Sequence, residues 1–259
     1  DAGIKTAPKW AVDRTLKAVP GGARNENARL THYIAADYAE GTVHTAPHQF
    51  GAMVKWAPGR QEILRGDQPV AVAEANSVRG EMAQVGARTE MRFSGTYADT
   101  DERMYVRPDG GMEHDIILAR APQAGEENYG LAYTGRLRLS PGLTLWEGKQ
   151  QITGPHTTRK GLLIKNVHGN TVFHLRHPYA YDATVTKPDG RLDAEKQGEE
   201  EYRPCLVGCE YRVDFDEAGL KLAVVTPGEW LADPQRAYPV VIDPNLGPFG
   251  LADGDPPIY

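Results

Sequence analysis

The sequence is poor in cysteine, in serine and in long apolar runs. Only two of its 259 residues are cysteine and three are serine, and no serine stands in the G-x-S-x-G turn that presents a nucleophile. No apolar run approaches the roughly 18 residues of a membrane-spanning helix. Basic residues number 29 against 35 acidic ones, a net charge of −6, which disfavours nucleic acid as a partner. These absences predict a chain that is not an enzyme, has no membrane span and binds no nucleic acid.

The two cysteines, Cys205 and Cys209, stand close together in the sequence. A disulfide that closes this small loop is the first expectation, since such bonds persist in oxidising compartments. A zinc half-site, which would need two further ligands, and a pair of free thiols remain as alternatives. The chain opens with Asp1-Ala2-Gly3, which suits a mature product whose leader was removed, although a trimmed chain would look the same. We therefore expect a secreted protein.

Apolar and polar residues alternate along most of the chain from Leu30 onward. In the segment 131–139, for example, apolar residues and one glycine occupy every second position. Turn signatures separate such runs, among them Pro108-Asp109-Gly110-Gly111 and His168-Gly169-Asn170. No window of about eleven residues carries a convincing helical period. The sequence therefore predicts an all-β protein, an antiparallel β-sandwich or a sandwich-like arrangement.

The sequence divides into three parts. Residues 1–29 are assigned to an N-terminal arm, residues 30–246 to a β-rich domain and residues 247–259, rich in Pro and Gly, to a C-terminal tail. A split into two subdomains near 140–160 is the alternative, and the charged stretch 191–203 is interpreted as a solvated loop. Neighbouring copies are expected to hold both ends by strand addition or by a docked tail. The residues expected at these assembly contacts are Ile4, Trp10, Phe249 and Tyr259.

Three stretches carry a resemblance to a known family. They are Gly95–Leu118 (GTYADTDERMYVRPDGGMEHDIIL), Val172–Ala183 (VFHLRHPYAYDA) and Tyr211–Pro244, which ends in EWLADPQRAYPVVIDP. In this order they resemble the β-rich region upstream of the repeats in bacterial RHS/YD-repeat and wall-associated surface proteins. The resemblance implies a structural domain at the bacterial cell exterior, with no catalytic residues to transfer. The repeats that usually follow the IDP element are not present, and residues 1–75 lie outside the resemblance.

Two pairs of acidic residues are candidates for cation ligands. Glu113 and Asp115 share one face of a predicted strand, with Cβ atoms roughly 7 Å apart, while Asp99 and Asp101 fall in a predicted turn. Carboxylates at that spacing could hold a hard cation such as Ca²⁺ or could resemble a glycosidase pair. The preferred interpretation of the first pair is the solvent face of a hairpin. No catalytic residue and no cofactor is therefore predicted, and Ca²⁺ remains an alternative.

These observations favour a secreted structural protein that assembles with its own copies into a filament, lattice or matrix through its terminal segments. The alternative is a carbohydrate-binding or adhesion module of a bacterial surface protein, in which Trp10, Trp56 and Trp146 would stack on cell-surface glycans. A glycoside-acting or metal-dependent enzyme is less favoured, because it requires carboxylates or histidines that converge in a pocket.

Overall fold

The computed structural model describes residues 13–27, 30–46, 52–122, 129–197, 199–244 and 246–248. Within these residues the chain consists mainly of antiparallel β-strands, which confirms the predicted all-β, sandwich-like fold. The residues expected at assembly contacts, Ile4, Trp10, Phe249 and Tyr259, lie outside the described part of the chain.

The strands range from 2 to 14 residues and follow one another along most of the described chain. In chain order they are β1 (Lys17–Val19), β2 (Gly22–Glu26), β3 (Thr31–Ala35), β4 (Thr42–Ala46), β5 (Ala52–Arg65), β6 (Gln68–Glu74), β7 (Glu81–Val85), β8 (Arg88–Tyr97), β9 (Thr100–Val106), β10 (Met112–Leu118), β11 (Gly130–Leu139), β12 (Thr144–Glu147), β13 (Gln150–Gln151), β14 (His156–Thr158), β15 (Leu162–Lys165), β16 (Thr171–Leu175), β17 (Tyr179–Tyr181), β18 (Leu206–Gly208), β19 (Glu210–Asp216), β20 (Gly219–Pro227), β21 (Val240–Asp243) and β22 (Leu246–Pro248).

Helices are few and short within the described ranges. They are the α-helices α1 (Ala194–Gln197) and α2 (Gly228–Leu231) and the 3-10 turns Tyr38–Glu40, Ala183–Val185 and Glu200–Cys205. None of these helices has the length and apolar character needed to cross a membrane.

The strands form two sheets. The first has the order β1-β2-β3-β4-β5-β11-β20-β19-β14, and β6 pairs with the second half of β5. In the second sheet the order is β13-β12-β15-β16-β22-β10-β21-β17-β18, and the strands β7, β8 and β9 join it at β10. The central strand β10 therefore pairs with β9 on one side and with β21 and β22 on the other.

The predicted turns lie where the chain reverses between strands. The Pro108–Gly111 turn joins β9 to β10, and Gly110 adopts a φ of +87° there. A second turn joins β15 to β16, with Gly169 at a φ of +77°. Glycine adopts such positive φ angles without a steric cost, so these two glycines allow the chain to reverse its direction in a tight turn. Both hairpins predicted from the sequence are confirmed.

One core fills the space between the two sheets. It takes alternate residues from both, and its largest fully buried side chains are Tyr211, Phe93, Phe173, Leu16, Leu30, Ile34, Met104, Leu118, Leu131, Leu162 and Ile164. The segment 17–26, which the sequence assigns to an N-terminal arm, forms β1 and β2 of the first sheet, and Ala23 is buried in the core. Between β11 and β12 the chain crosses from the first sheet to the second, and both strands contribute to the same core.

The outer face of the second sheet is covered as well. Residues 182–206, which we call the cover, contain α1 and two 3-10 turns, and Val185, Leu192 and Tyr202 pack there with Tyr181 and Val241. The alternate residues of the same strands belong to the main core instead. The middle of the second sheet is therefore buried on both faces.

The tight packing of the core predicts a large loss of stability when a buried ring is removed. Phe173 exposes none of its surface, so Phe173→Ala should lower the free energy of unfolding by about 3–5 kcal/mol. Val167→Ala, at an exposed turn position, is the control and should change it by less than about 0.5 kcal/mol. Urea unfolding followed by fluorescence measures both variants, and equal losses would contradict the placement of Phe173 in the core.

Candidate functional site

Three acidic side chains converge on the covered face of the second sheet. Ile116 of β10 pairs with Ile242 of β21, so the same antiparallel register places Asp115 opposite Asp243. Glu113 lies two residues before Asp115 and therefore on the same face of the strand. One oxygen from each of the three carboxylates lies within 4.8 Å of the others. We call Glu113, Asp115 and Asp243 the carboxylate cluster.

The carboxylate cluster is largely sealed from solvent. Asp115 exposes 0% and Asp243 1% of its surface, while the Glu113 side chain exposes 15%. Oδ1 of Asp115 and both carboxylate oxygens of Asp243 have no hydrogen-bond partner among the described residues. The Tyr179 hydroxyl lies beside Asp243, on the paired strand β17, without meeting hydrogen-bond geometry. Three buried oxygens thus lack the partner that buried polar atoms normally have.

Two arginines partly offset the charge of the cluster. Nε of Arg103 donates a hydrogen bond to Oδ2 of Asp115. Nη1 of Arg107 lies 3.5 Å from Oε2 of Glu113, while its Nη2 pairs with Asp109 at 3.1 Å. Arg103 and Arg107 thus offset part of the negative charge of the cluster.

The cover closes the site above Arg103. The two Nη atoms of this arginine donate to the backbone carbonyls of Asp189 and Gly190, at 2.7 and 2.8 Å. The turn that carries both carbonyls is thereby held over the sheet. Tyr105 and Tyr179 are cross-strand neighbours of the cluster on its two sides. The carboxylates are therefore surrounded by rings, guanidinium groups and backbone rather than by bulk water.

This environment disfavours three separate negative charges. Burial raises the pKa of Asp243 well above its ordinary value, and the nearby Glu113 and Asp115 raise it further. Burial also raises the pKa of Asp115, against the opposing effect of Arg103. Carboxylates placed in this way take up a proton or hold a cation. They are poorly placed to act on a substrate, because two of the three expose almost no surface that a substrate could touch.

The structure separates the two acidic pairs that the sequence singles out. Asp115 lies under the cover and not on the solvent face of a hairpin, which corrects the preferred interpretation of its pair. Asp99 lies exposed in the turn between β8 and β9, and Asp101 lies exposed at the start of β9. Asp99 pairs with Arg120 at 2.7 Å, and Asp101 accepts a hydrogen bond from the backbone N–H of Gly95 at 2.8 Å. These contacts account for the second pair without a cation.

Asp243 is the member of the cluster that sequence reasoning misses. It follows the apolar run Val240–Ile242 and precedes Pro244, so it is interpreted as the end of a strand. The sequence does contain one signal for Asp243, because an acidic residue ends a wholly apolar strand. Such a strand is typical of the middle of a sheet, where a buried charge needs a partner.

The two cysteines do not form the expected disulfide. Cys209 belongs to the main core, where its thiol lies 3.3 Å from Oγ1 of Thr226 and burial raises its pKa to about 12. Cys205 belongs to the cover and packs instead with Tyr181 on the outer face of the sheet. The two side chains therefore lie on opposite faces of the second sheet, although they are close in sequence.

The described tryptophans do not form an exposed row of rings. Trp56 is half-buried against the main core. The other two stack with cations of the same chain, Trp146 with Lys165 at 4.4 Å and Trp230 with Arg236 at 3.7 Å. This arrangement offers no platform of several rings for a sugar chain among these residues.

A second buried polar group joins the two sheets. Nε2 of His32 lies 2.9 Å from the carbonyl oxygen of Gly110, which can only accept, so this nitrogen carries the proton. Nδ1 of His32 is then the acceptor for Nδ1–H of His44 at 2.9 Å, and Nε2 of His44 accepts from the hydroxyl of Thr42 at 3.0 Å. With the protons placed in this way, both rings make these contacts in their neutral form. Burial lowers the pKa of His32 to about 4 and that of His44 well below its ordinary value.

Comparisons with known proteins yield no relative of this chain. No family model matches it, and no significant match is found among curated proteins or among solved structures. The resemblance to the RHS/YD-repeat region therefore stays a prediction.

The neutral histidine pair predicts a loss of stability at mildly acidic pH. In the unfolded chain histidine takes up a proton near pH 6.5, whereas folded His32 resists protonation down to about pH 4. Unfolding therefore binds protons in this window, so stability is full above pH 6.5 and falls as the pH is lowered. The contribution of His32 alone to this fall in the free energy of unfolding is about 3 kcal/mol.

Urea unfolding at a series of pH values tests this prediction. The pH profile of the wild type is compared with that of the double variant His32→Gln with His44→Gln and with that of His168→Gln, an exposed control. Carboxylates and the histidines other than His168, including the neighbouring His114, are common to all three, so the difference isolates the pair. In the double variant the free energy of unfolding should fall less steeply between pH 6.5 and pH 4 than in the wild type, whereas the control should show the wild-type fall. Identical slopes in the wild type and the double variant would refute the assignment.

Proposed function

We propose that this chain is a structural, non-enzymatic domain of the bacterial cell exterior that associates with its own copies by β-strand addition. The observation that carries the proposal is a pair of open sheet edges, β6 and β7, on consecutive segments of the chain.

The first open edge is β6. Among the described strands β6 pairs only with β5, so its other side presents unpaired main-chain groups. All seven of its residues are exposed, with Val70 at 51% and Val72 at 50%. An exposed edge with apolar side chains is a template for another strand, and main-chain hydrogen bonds supply the affinity of such pairing.

The second open edge is β7. It ends one arm of the second sheet, and its partner among the described strands is β8. Met82 on this strand exposes 39% of its surface. Residues 75–80 carry the chain from β6 to β7 and thus from one sheet to the other. An added segment could therefore extend either sheet.

Two features of β6 limit how a partner can pair with it. Pro69 lacks a main-chain donor, and the register with β5 shifts between Ile63 and Leu64. Natural edges use such interruptions to avoid uncontrolled pairing. The continuous part of β6 is therefore short, which favours the addition of a short, defined segment.

We expect the added segment to be residues 4–10 of a neighbouring copy. In this stretch Ile4 and Trp10 fall on the face opposite to Lys5 and Lys9 if the segment is extended. The same face carries Thr6 and Pro8, so the apolar contacts of such a strand would come from its two ends.

Two further observations support a structural role outside the cell. The carboxylate cluster, where an enzyme would need access, is closed to a substrate. The closing motif of residues 229–244 provides β21 in the middle of the second sheet, and its resemblance to bacterial surface proteins supports the exterior location.

Charges placed on the β6 edge should weaken self-association. We expect the wild-type chain to associate with rising concentration in sedimentation velocity, with polymers visible by electron microscopy. Val70→Lys together with Val72→Lys, and separately the deletion of residues 1–12, should each shift the distribution to monomers. Val167→Lys, which alters an exposed apolar residue outside both edges, should leave association unchanged.

Circular dichroism of each variant checks that the β-fold is retained. A wild-type chain that stays monomeric over the whole accessible concentration range would contradict self-assembly. Association that survives both the edge variant and the deletion would contradict strand addition as its mechanism.

A further inference from the structure

We propose that Glu113, Asp115 and Asp243 bind one hard divalent cation, for which Ca²⁺ is the best fit. The ion would join β10 to β21 beneath the cover. This inference does not rest on self-assembly, because it concerns the interior of the second sheet and not its edges.

The unpartnered oxygens point to a missing ligand and not only to an acidic patch. Oδ1 of Asp115 and both oxygens of Asp243 are buried and accept no hydrogen bond from the described residues. Two oxygens on opposite sides of a Ca²⁺ ion are about 4.6–5.2 Å apart, since each lies about 2.3–2.6 Å from the ion. The carboxylates of the cluster approach one another to within 4.8 Å. The distances between these oxygens therefore do not exceed the width of one Ca²⁺ coordination shell.

A shared proton is the simplest competing occupant. Placed between Asp115 and Asp243, it would give one oxygen a donor role and another an acceptor role, and it would leave the third buried oxygen to the neighbouring hydroxyl of Tyr179. A proton shared by Asp115 and Asp243 would also make no contact with Glu113. A cation satisfies all three carboxylates at once, which is why the geometry favours it.

The neighbouring arginines do not replace a cation. Arg103 already donates to Oδ2 of Asp115 and to two carbonyls of the cover, and Arg107 approaches the cluster from the side of Glu113. Neither donates a hydrogen bond to Asp243. Oδ1 of Asp115 and the Asp243 carboxylate thus remain available to an ion.

The chemistry of the donors selects the kind of ion. Zn²⁺ prefers nitrogen and sulfur ligands, whereas all three donors here are carboxylates. Mg²⁺ needs a regular octahedron and usually keeps several waters, which a site closed on most sides does not favour. Ca²⁺ accepts irregular shells and both binding modes of a carboxylate. Glu113, the one partly exposed ligand at 15%, marks the side from which an ion could enter.

Titration of the full chain with Ca²⁺ tests the proposal. After treatment with EDTA and removal of the chelator, isothermal titration calorimetry should show one saturable Ca²⁺ site per chain, and Ca²⁺ should raise the melting temperature. Tb³⁺ should bind in its place and emit upon tyrosine excitation, because Tyr105 and Tyr179 are cross-strand neighbours of two ligands. Added Ca²⁺ should abolish this emission, and Mg²⁺ should do so much less well.

Three substitutions locate the site. Asp243→Asn keeps the shape of a ligand but removes its charge and should weaken Ca²⁺ binding by at least about tenfold. Since it also removes a buried charge, the cation-free variant should be no less stable than the cation-free wild type. Glu113→Gln should weaken binding as well, from a position that is partly exposed. Glu102→Gln is the matched control, because Glu102 is equally buried but already contacts Tyr38 and His114 on the opposite face of the sheet; it should lower the melting temperature and leave Ca²⁺ affinity unchanged.

Three results would overturn the proposal. The first is a wild-type chain with no saturable site for Ca²⁺, Mn²⁺ or Mg²⁺. The second is Ca²⁺ binding that persists unchanged in both Asp243→Asn and Glu113→Gln, which would place the ion elsewhere. A third result, tighter binding of Mg²⁺ than of Ca²⁺, would overturn the choice of ion.

Discussion

The packing of the cover on the outer face of the second sheet is the constraint on which the rest of the structure depends. In a two-sheet sandwich the outward residues of each strand normally meet water. Here residues 182–206 lie over those of β17 and β21, and the turn at Asp189 and Gly190 is held by Arg103 of β9. Outward carboxylates on β10 and β21 thereby become buried. Their charge must then be met by arginines, by protons or by an ion.

The closing motif fastens the cover to the sheet. Nη1 of Arg236 donates to Oδ2 of Asp182 and to the carbonyl of Pro204, both at 2.8 Å, and Trp230 donates to the same carbonyl at 2.9 Å. Asp182 and Pro204 lie near the two ends of the cover, so one arginine holds both. Because β21 begins four residues after Arg236, this anchor lies close in the chain to the strand that carries Asp243. Breaking a buried pair of this kind leaves an uncompensated charge, which is costly.

Local features of the structure follow from the sequence, whereas those that depend on distant packing do not. Turn residues and a period of two predict the hairpins and place Glu113 and Asp115 on one strand face. The burial of that face depends on a segment about 70 residues later in the chain. The sequence predicts a solvated loop for its charged stretch, because nothing local shows that Leu192 and Tyr202 pack against the sheet. Asp243 joins the cluster through the register of two strands that are far apart in sequence. The spacing of the two cysteines likewise shows that they are close along the chain, but it does not show on which face of the sheet each side chain lies.

The carboxylate cluster lies in the middle of the second sheet, whereas the open strand β7 lies at its edge. β8 and β9 separate the edge strand β7 from β10, so strand addition at β7 needs no contact with the cluster. A sheet that adds strands at its edge must keep its inner strands hydrogen-bonded to one another. Two inner strands that separate would each expose a further edge for uncontrolled pairing. Local opening is governed by local stability. An ion held between β10 and β21 would stabilise the middle of the sheet and so confine pairing to its edge strands.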